Sequence, residues 1–302
     1  MMRWLLAAGQ LSAAASLSLP TSVDDGITVV ENSEGNRLLL AAMNGDACED
    51  EIEVFTVEAI GPYEFSLQVA EDDFNNAKKT LFATMIWHGS RALSEHILSH
   101  VSDSIRGKSV IEFGAGAGLP SLICHRVGAA VVTSSDYPAR SVTRNLIRNA
   151  SRNILYSDTT AAQSSRQENG NEEDCVVRDY LLLSEKNFYV IEHVWGETVS
   201  PLLYPLQAAS EKYDVVIASE CLWKSDTHED FANSINSVLK PGGVCFMSFS
   251  HHMPGLEPKD LAFFEILERK SFSVTNVSEV SVPHMWSDKC AIVYIYELLK
   301  GV

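Results

Sequence analysis

Two acidic residues bracket a glycine-rich turn: Glu112 lies just ahead of Gly114, and Asp136 closes a second apolar run about 20 residues further on. The intervening segment, Val110-Ile-Glu-Phe-Gly-Ala-Gly-Ala-Gly-Leu-Pro120, reads as an apolar strand that breaks sharply at Gly114, Ala115, Gly116 and Gly118. Glycines lack a Cβ, so the backbone can turn off the strand and let a ligand into van der Waals contact with it. An acid at position 136 can then accept hydrogen bonds from both hydroxyls of a ribose. This is the chemistry of a nucleoside-cofactor site. The spacing disfavours NAD, because the dinucleotide fingerprint G-x-G-x-x-G needs glycine at 119, where this chain has Leu. The competing reading is an ordinary strand-to-helix turn that binds nothing. Leu119-Pro120 suits the opening of a helix, where proline loses no hydrogen bond.

Around this turn the sequence alternates strand and helix signals, which predicts a mostly parallel sheet covered on both faces. Strands are expected at Ser109–Phe113, Ala130–Ser135, Phe188–His193, Tyr213–Ala218, Gly243–Ser250, Ser273–Val280 and Cys290–Glu297. Helices are expected at Leu119–Val127, Ala139–Asn149, His228–Leu239 and Lys259–Lys270. The last two strands follow one another without a helix, so the last of them should run antiparallel. Ahead of this core, Thr80–His100 reads as a helix and Glu53–Val69 as an extended hairpin. Residues 1–50 read as an N-terminal extension and 51–300 as one α/β domain. Residues 157–174 contain no Val, Leu, Ile or aromatic residue, cannot add to a core, and read as a disordered loop insertion.

The chain has 302 residues, is 46% hydrophobic and carries a formal net charge of −17. That balance argues against a nucleic-acid substrate, which needs an electropositive face. No Lys or Arg occurs from Leu38 to Ala77, while ten Asp or Glu fall between Asp46 and Asp73. This is either a solvated acidic edge or a surface that steers a basic protein partner. The six cysteines form no C-x-x-C pair and show no metal-ligand rhythm, so no metal site is expected and a reducing, cytoplasmic compartment fits best. Residues 1–20, with Arg3 ahead of an Ala/Leu/Ser run, resemble a signal or transit peptide, so organelle or secretory targeting is the alternative. The segment is too short and polar to span a bilayer. A monomer is expected.

Taken with the glycine turn, Ile86-Trp-His-Gly89, Asp136-Tyr-Pro138, Trp195-Gly196, Ser219-Glu-Cys-Leu-Trp223, His228 and Phe249-Ser-His-His-Met-Pro254 make the chain resemble the seven-strand lysine methyltransferases of family 16. Within that family it looks most like the group, often named nicotinamide N-methyltransferase-like, that acts on the N-terminus and a lysine of translation elongation factor 1-alpha. The resemblance implies the Rossmann-like class I methyltransferase fold, with seven strands, an antiparallel last strand and an N-terminal helix/hairpin extension. It implies S-adenosyl-L-methionine as cofactor, a protein substrate, and an enzyme that transfers methyl to a lysine or N-terminal amine. By the same resemblance, Trp87, Glu112, Gly114, Ala115, Gly116, Gly118, Asp136, Trp195 and Ser219 bind cofactor, while Glu220 and Trp223 form the methyl-acceptor site. The family often has Asp where Glu220 stands.

Glu220 would hold an amine as its carboxylate partner, and Trp223 would present a ring face, which attracts ammonium and methylammonium groups. Trp87 and Trp195 each have an alternative as plain core tryptophans. His88, His228, His251 and His252 read as structural or surface residues. Two other functions stay open: a small-molecule, nicotinamide-like N-methyltransferase, and a cofactor-binding scaffold that methylates nothing.

Overall fold

The computed structural model describes residues 23–24, 27–31, 37–40, 56–69, 83, 85–155, 172–206, 211–252, 255–283 and 290–302. The leader-like residues 1–20 and most of the predicted insertion, 157–171, lie outside the described residues.

Three short strands, β1 (Val23–Asp24), β2 (Ile27–Glu31) and β3 (Arg37–Leu40), pair antiparallel in one small sheet. A hairpin of β4 (Thr56–Ile60) and β5 (Tyr63–Leu67) follows, where the sequence predicts one. Helix α1 (His88–His96) continues through a π-helical turn, Ile97–Val101. The predicted helix over Thr80–His100 therefore opens late, at His88, with Trp87 as its extended N-cap residue.

The main sheet has seven strands: β6 (Ser109–Phe113), β7 (Val131–Asp136), β8 (Phe188–Glu192), β9 (Tyr213–Ser219), β10 (Leu239–Ser250), β11 (Phe272–Pro283) and β12 (Cys290–Lys300). Their spatial order is β11-β12-β10-β9-β6-β7-β8. β6 to β10 pair in parallel, and β12 inserts antiparallel between β10 and β11. This is the predicted Rossmann-like seven-strand order. The connecting helices are α2 (Leu119–Arg126), α3 (Arg140–Ala150), α4 (Glu172–Glu185), α5 (His228–Val238) and α6 (Glu257–Arg269).

The central strands are apolar on both faces because both faces are covered. Alternate residues point opposite ways: Val110, Val132, Val215 and Ile217 join one core with α1 to α4, whereas Ile111, Phe113, Val216 and Ala218 join the other with α5 and α6. Helix α4 was not among the predicted helices, although Val176, Tyr180 and Leu183, all buried, carry a helical spacing that marks it. Among the described residues, no helix is long and apolar enough to cross a membrane.

Candidate active site

The chain lays β6, β7 and β8 to one side, then crosses back to place β9 on the other side of β6. At such a switch point the loops leaving the carboxyl ends of neighbouring strands diverge and open a crevice, the usual ligand site of doubly wound sheets. Here the crevice lies between the glycine turn after β6 and the Glu220–Trp223 segment after β9.

All three glycines of the turn sit in the left-handed region, with φ of 64° at Gly114, 55° at Gly116 and 82° at Gly118. They differ in what surrounds them. A Cβ on Gly114 would lie 2.6 Å from Cys221 Sγ and 3.8 Å from the Trp195 ring, whereas one on Gly116 would meet nothing within 4 Å. Gly114 is therefore a packing contact, and Gly116 faces an open cradle. The turn is fastened to the next strand: Ala115 N donates to Ser135 O at 3.1 Å, and Gly116 N donates to Asp136 Oδ2 at 2.7 Å. Asp136 Oδ1 accepts from Tyr137 N at 2.6 Å, and burial raises this carboxyl above its ordinary value.

Glu112 is buried and fixes the helix that follows. Its Oε2 accepts from Ser121 N at 3.0 Å and from the Ser121 hydroxyl, satisfying an N–H in the first turn of α2 that has no intrahelical partner. Burial outweighs those bonds and pushes the Glu112 carboxyl up to about 8.

Across the crevice, Glu220 holds a left-handed backbone with φ of 55° and is buried. Its Oε1 accepts from Gly89 N at 3.1 Å and Ser250 Oγ at 3.0 Å. Its Oε2 accepts from Ser250 N at 3.0 Å and pairs with His252 Nε2 at 2.9 Å. Glu220 thus joins the start of α1, the end of β10 and its own turn. Ser219 Oγ lies 3.1 Å from Ser248 Oγ, which donates to Gly89 O. His228 Nε2 meets Leu222 O at 3.0 Å and holds the segment in place. Trp223 is 47% exposed at its end.

Trp87 packs edge-on against His252, with ring centroids 4.9 Å apart. Trp195 stacks on Phe231 at 4.3 Å and turns its edge to Gly114. Glu112, Asp136 and Glu220 all act electrostatically on the buried Cys221 thiol, which donates to Phe113 O. The predicted site residues thus come from four strand ends and one helix start and gather around this crevice.

Sequence reasoning missed the partners that hold them: Gly89, Ser121, Cys221, Ser248, Ser250 and His252. Asn149 is another, since its Nδ2 donates to Ala117 O at 3.0 Å in the glycine turn and to Gln68 O at 2.8 Å beyond β5. Gly89, Cys221, Ser250 and His252 carried a signal, their places in the Ile86–Gly89, Ser219–Trp223 and Phe249–Pro254 runs, whereas Ser248 and Asn149 lie in none of these.

A family model described as a methyltransferase domain matches residues 86–266, a span that takes in both walls of the crevice. The chain belongs to that family. A "Protein N-terminal and lysine N-methyltransferase EFM7" of Yarrowia lipolytica is 33% identical over 62% of this chain, which spans only 64% of that relative's length. The protein of the same name from Schizosaccharomyces pombe is 25% identical, over 72% of this chain and 73% of its own. Among solved structures, a Streptococcus mutans protein provisionally named a SAM-dependent methyltransferase shares the fold at a TM-score of 0.50 and 13% identity, covering 85% of this chain and 58% of that one. In this methyltransferase domain, the open cradle at Gly116 beside Asp136 fits a nucleoside, with Asp136 still able to accept from ribose hydroxyls on its remaining lone pairs.

Proposed function

We propose that this chain transfers a methyl group from S-adenosyl-L-methionine to an amine of a protein, either a lysine or an N-terminal amine, with a basic protein such as elongation factor 1-alpha as substrate. The observation that carries this reading is that the segment after β9 pairs a buried acid, Glu220, with an exposed tryptophan, Trp223, three residues on. A site for a small molecule buries its walls, whereas a polypeptide needs an open, aromatic edge to lie against. The names of the relatives support the same class, and the formal charge of −17 favours a basic partner. Buried free thiols at Cys124, Cys221 and Cys245 favour a reducing, cytoplasmic setting.

When bound, the cofactor supplies an electrophilic methyl on a sulfonium. The residues of this chain do the rest. Asp136 and the glycine turn hold the nucleoside, Trp87 and Trp195 exclude water, and Trp223 accommodates an ammonium or methylated product. Holding acceptor and methyl in line supplies a proximity effect of roughly 7 kcal/mol or more. The amine must also lose a proton: a lysine of pKa about 10.4 is neutral only about once in 2,500 molecules at pH 7, a deficit of about 4.6 kcal/mol.

The test is incubation of the full chain with tritiated S-adenosylmethionine and a cell extract, with labelled bands identified by mass spectrometry. A discrete protein band labelled on an amine is expected, weakened in Trp223→Ala. Label confined to small molecules would overturn the protein assignment.

A further inference from the structure

The turn after β10 places two consecutive histidines on different acids. His251 Nδ1 pairs with Asp260 Oδ2 of α6 at 2.7 Å, and His252 Nε2 pairs with Glu220 Oε2 at 2.9 Å. A carboxylate can only accept, so the His252 hydrogen sits on Nε2, and the neutral ring keeps its lone pair on Nδ1. No described residue bonds to Nδ1, and the side chain is 24% exposed. The ring is held between Glu220, which follows β9, and the Trp87 indole ahead of α1.

We propose that His252 Nδ1 accepts the proton of the methyl-accepting amine, with Glu220 as the residue that positions and charge-balances the ring. This assignment rests on the amine-methyltransferase reading above. Glu220 is a poor acceptor itself, since its two oxygens are already engaged with Gly89, Ser250 and His252. In the step, an N–H bond of the ammonium breaks, its electron pair stays on nitrogen, and the proton passes to Nδ1. That pair then forms the bond to the methyl carbon as the carbon–sulfur bond breaks with its electrons going to sulfur. The imidazolium afterwards returns its proton to water.

The charged groups that act on the ring are Glu220 after β9 and Asp260 on α6, the latter paired with the neighbouring His251; on α1, His88 lies within the field of Glu220 and of Arg91. Arg91 is itself held by Glu58 through two 2.7 Å bonds. Burial lowers His252, but the hydrogen bond and charge of Glu220, then the charge of Asp260, more than offset this and leave it above the ordinary imidazole value. A base poised near the working pH is the efficient kind.

His252→Gln keeps an Nε2–H donor for Glu220 and removes the basic nitrogen. With saturating cofactor and an amine-bearing protein substrate, the wild type is expected to show a kcat that rises through one ionisation above the usual imidazole range. H252Q is expected to bind cofactor with unchanged affinity, lose about 10²-fold or more in kcat, and lose that inflection while recovering rate at high pH. Nitrogen-15 NMR of the neutral wild-type ring is expected to show the Nε2–H tautomer. An H252Q enzyme with wild-type kcat and inflection, or an Nδ1–H tautomer, would overturn this assignment alone. A wild type that binds cofactor but methylates no amine would overturn the parent reading and this one together.

Discussion

The Gly116 amide donates to Asp136 Oδ2 at 2.7 Å, so the acid at the end of β7 holds the glycine turn in shape as well as facing the cradle. Removing it should cost twice over. Asp136→Ala is expected to lower S-adenosylmethionine affinity by roughly 1–3 kcal/mol for the lost charged contacts and to loosen the turn. Calorimetric titration checks this, and unchanged affinity in a folded variant would move the cofactor site elsewhere.

Two glycines two residues apart should fail in different ways. Gly114→Ala drives a Cβ to within 2.6 Å of Cys221 Sγ, so it should destabilise the fold by about 1–3 kcal/mol through overpacking, plus about 1–2 kcal/mol for the left-handed backbone. Gly116→Ala has open space and should cost only that second amount while abolishing cofactor binding. Thermal melts alongside titrations separate the two; equal stability losses would contradict the difference in packing.

Glu220 offers a reversal of the usual glycine rule. Its φ of 55° is strained for any side chain, so Glu220→Gly should be more stable than Glu220→Ala by about 1–2 kcal/mol. Both variants leave the Gly89 N–H unpaired, at about 1–3 kcal/mol, and both should lose turnover. Denaturant unfolding of the pair provides the measurement, and an alanine variant that proves the more stable of the two would refute the strain.

Glu112 sets a pH dependence of stability. Its carboxyl is raised from 4.5 to about 8 in the fold, so between those values the folded chain holds a proton that the unfolded chain has released. Stability therefore falls as pH rises across that window and levels off above it. Glu112→Gln retains an acceptor for Ser121 and cannot ionise, so wild-type stability relative to E112Q should decline from pH 5 to pH 8. Urea unfolding at several pH values tests this, and parallel curves would mean that Glu112 ionises normally.

His252 carries the same sign, in a higher window. Its value is raised in the fold, so its pairing with Glu220 contributes stability that is fully present below about pH 6.5 and is lost as pH rises through the folded value. H252Q should lack that part of the pH dependence in the same unfolding series, and a variant whose curve tracks the wild type would argue that the pair contributes nothing.

Much of the architecture was legible along the chain. Strands β6 to β9 are short apolar runs ended by Gly, Asp, Glu or Ser, and the absence of a helix signal between β11 and β12 marked the antiparallel insertion. These are local properties, set by side-chain alternation and by what glycine and proline do to a backbone. Helix α4 carries the same kind of signal in Val176, Tyr180 and Leu183, obscured by the polar stretch that precedes it. The late start of α1 was less legible, because Trp87 fits a helix by type, while the first-turn Gly89 N–H finds its partner in Glu220, far along the chain.

By itself, the sequence determined which residues could bind a nucleoside, since the Glu112–glycine–Asp136 spacing is confined to one strand-turn-helix-strand unit whose geometry is local. Only the tertiary structure decided what the acids do. Glu220 and Gly89 are separated by 131 positions, and Glu220 and His252 by 32; no sequence pattern records such pairings, because they exist only where β9, β10 and α1 converge. The sheet order brings those elements together, and that convergence turns a histidine read as structural or surface into the partner of the buried acid.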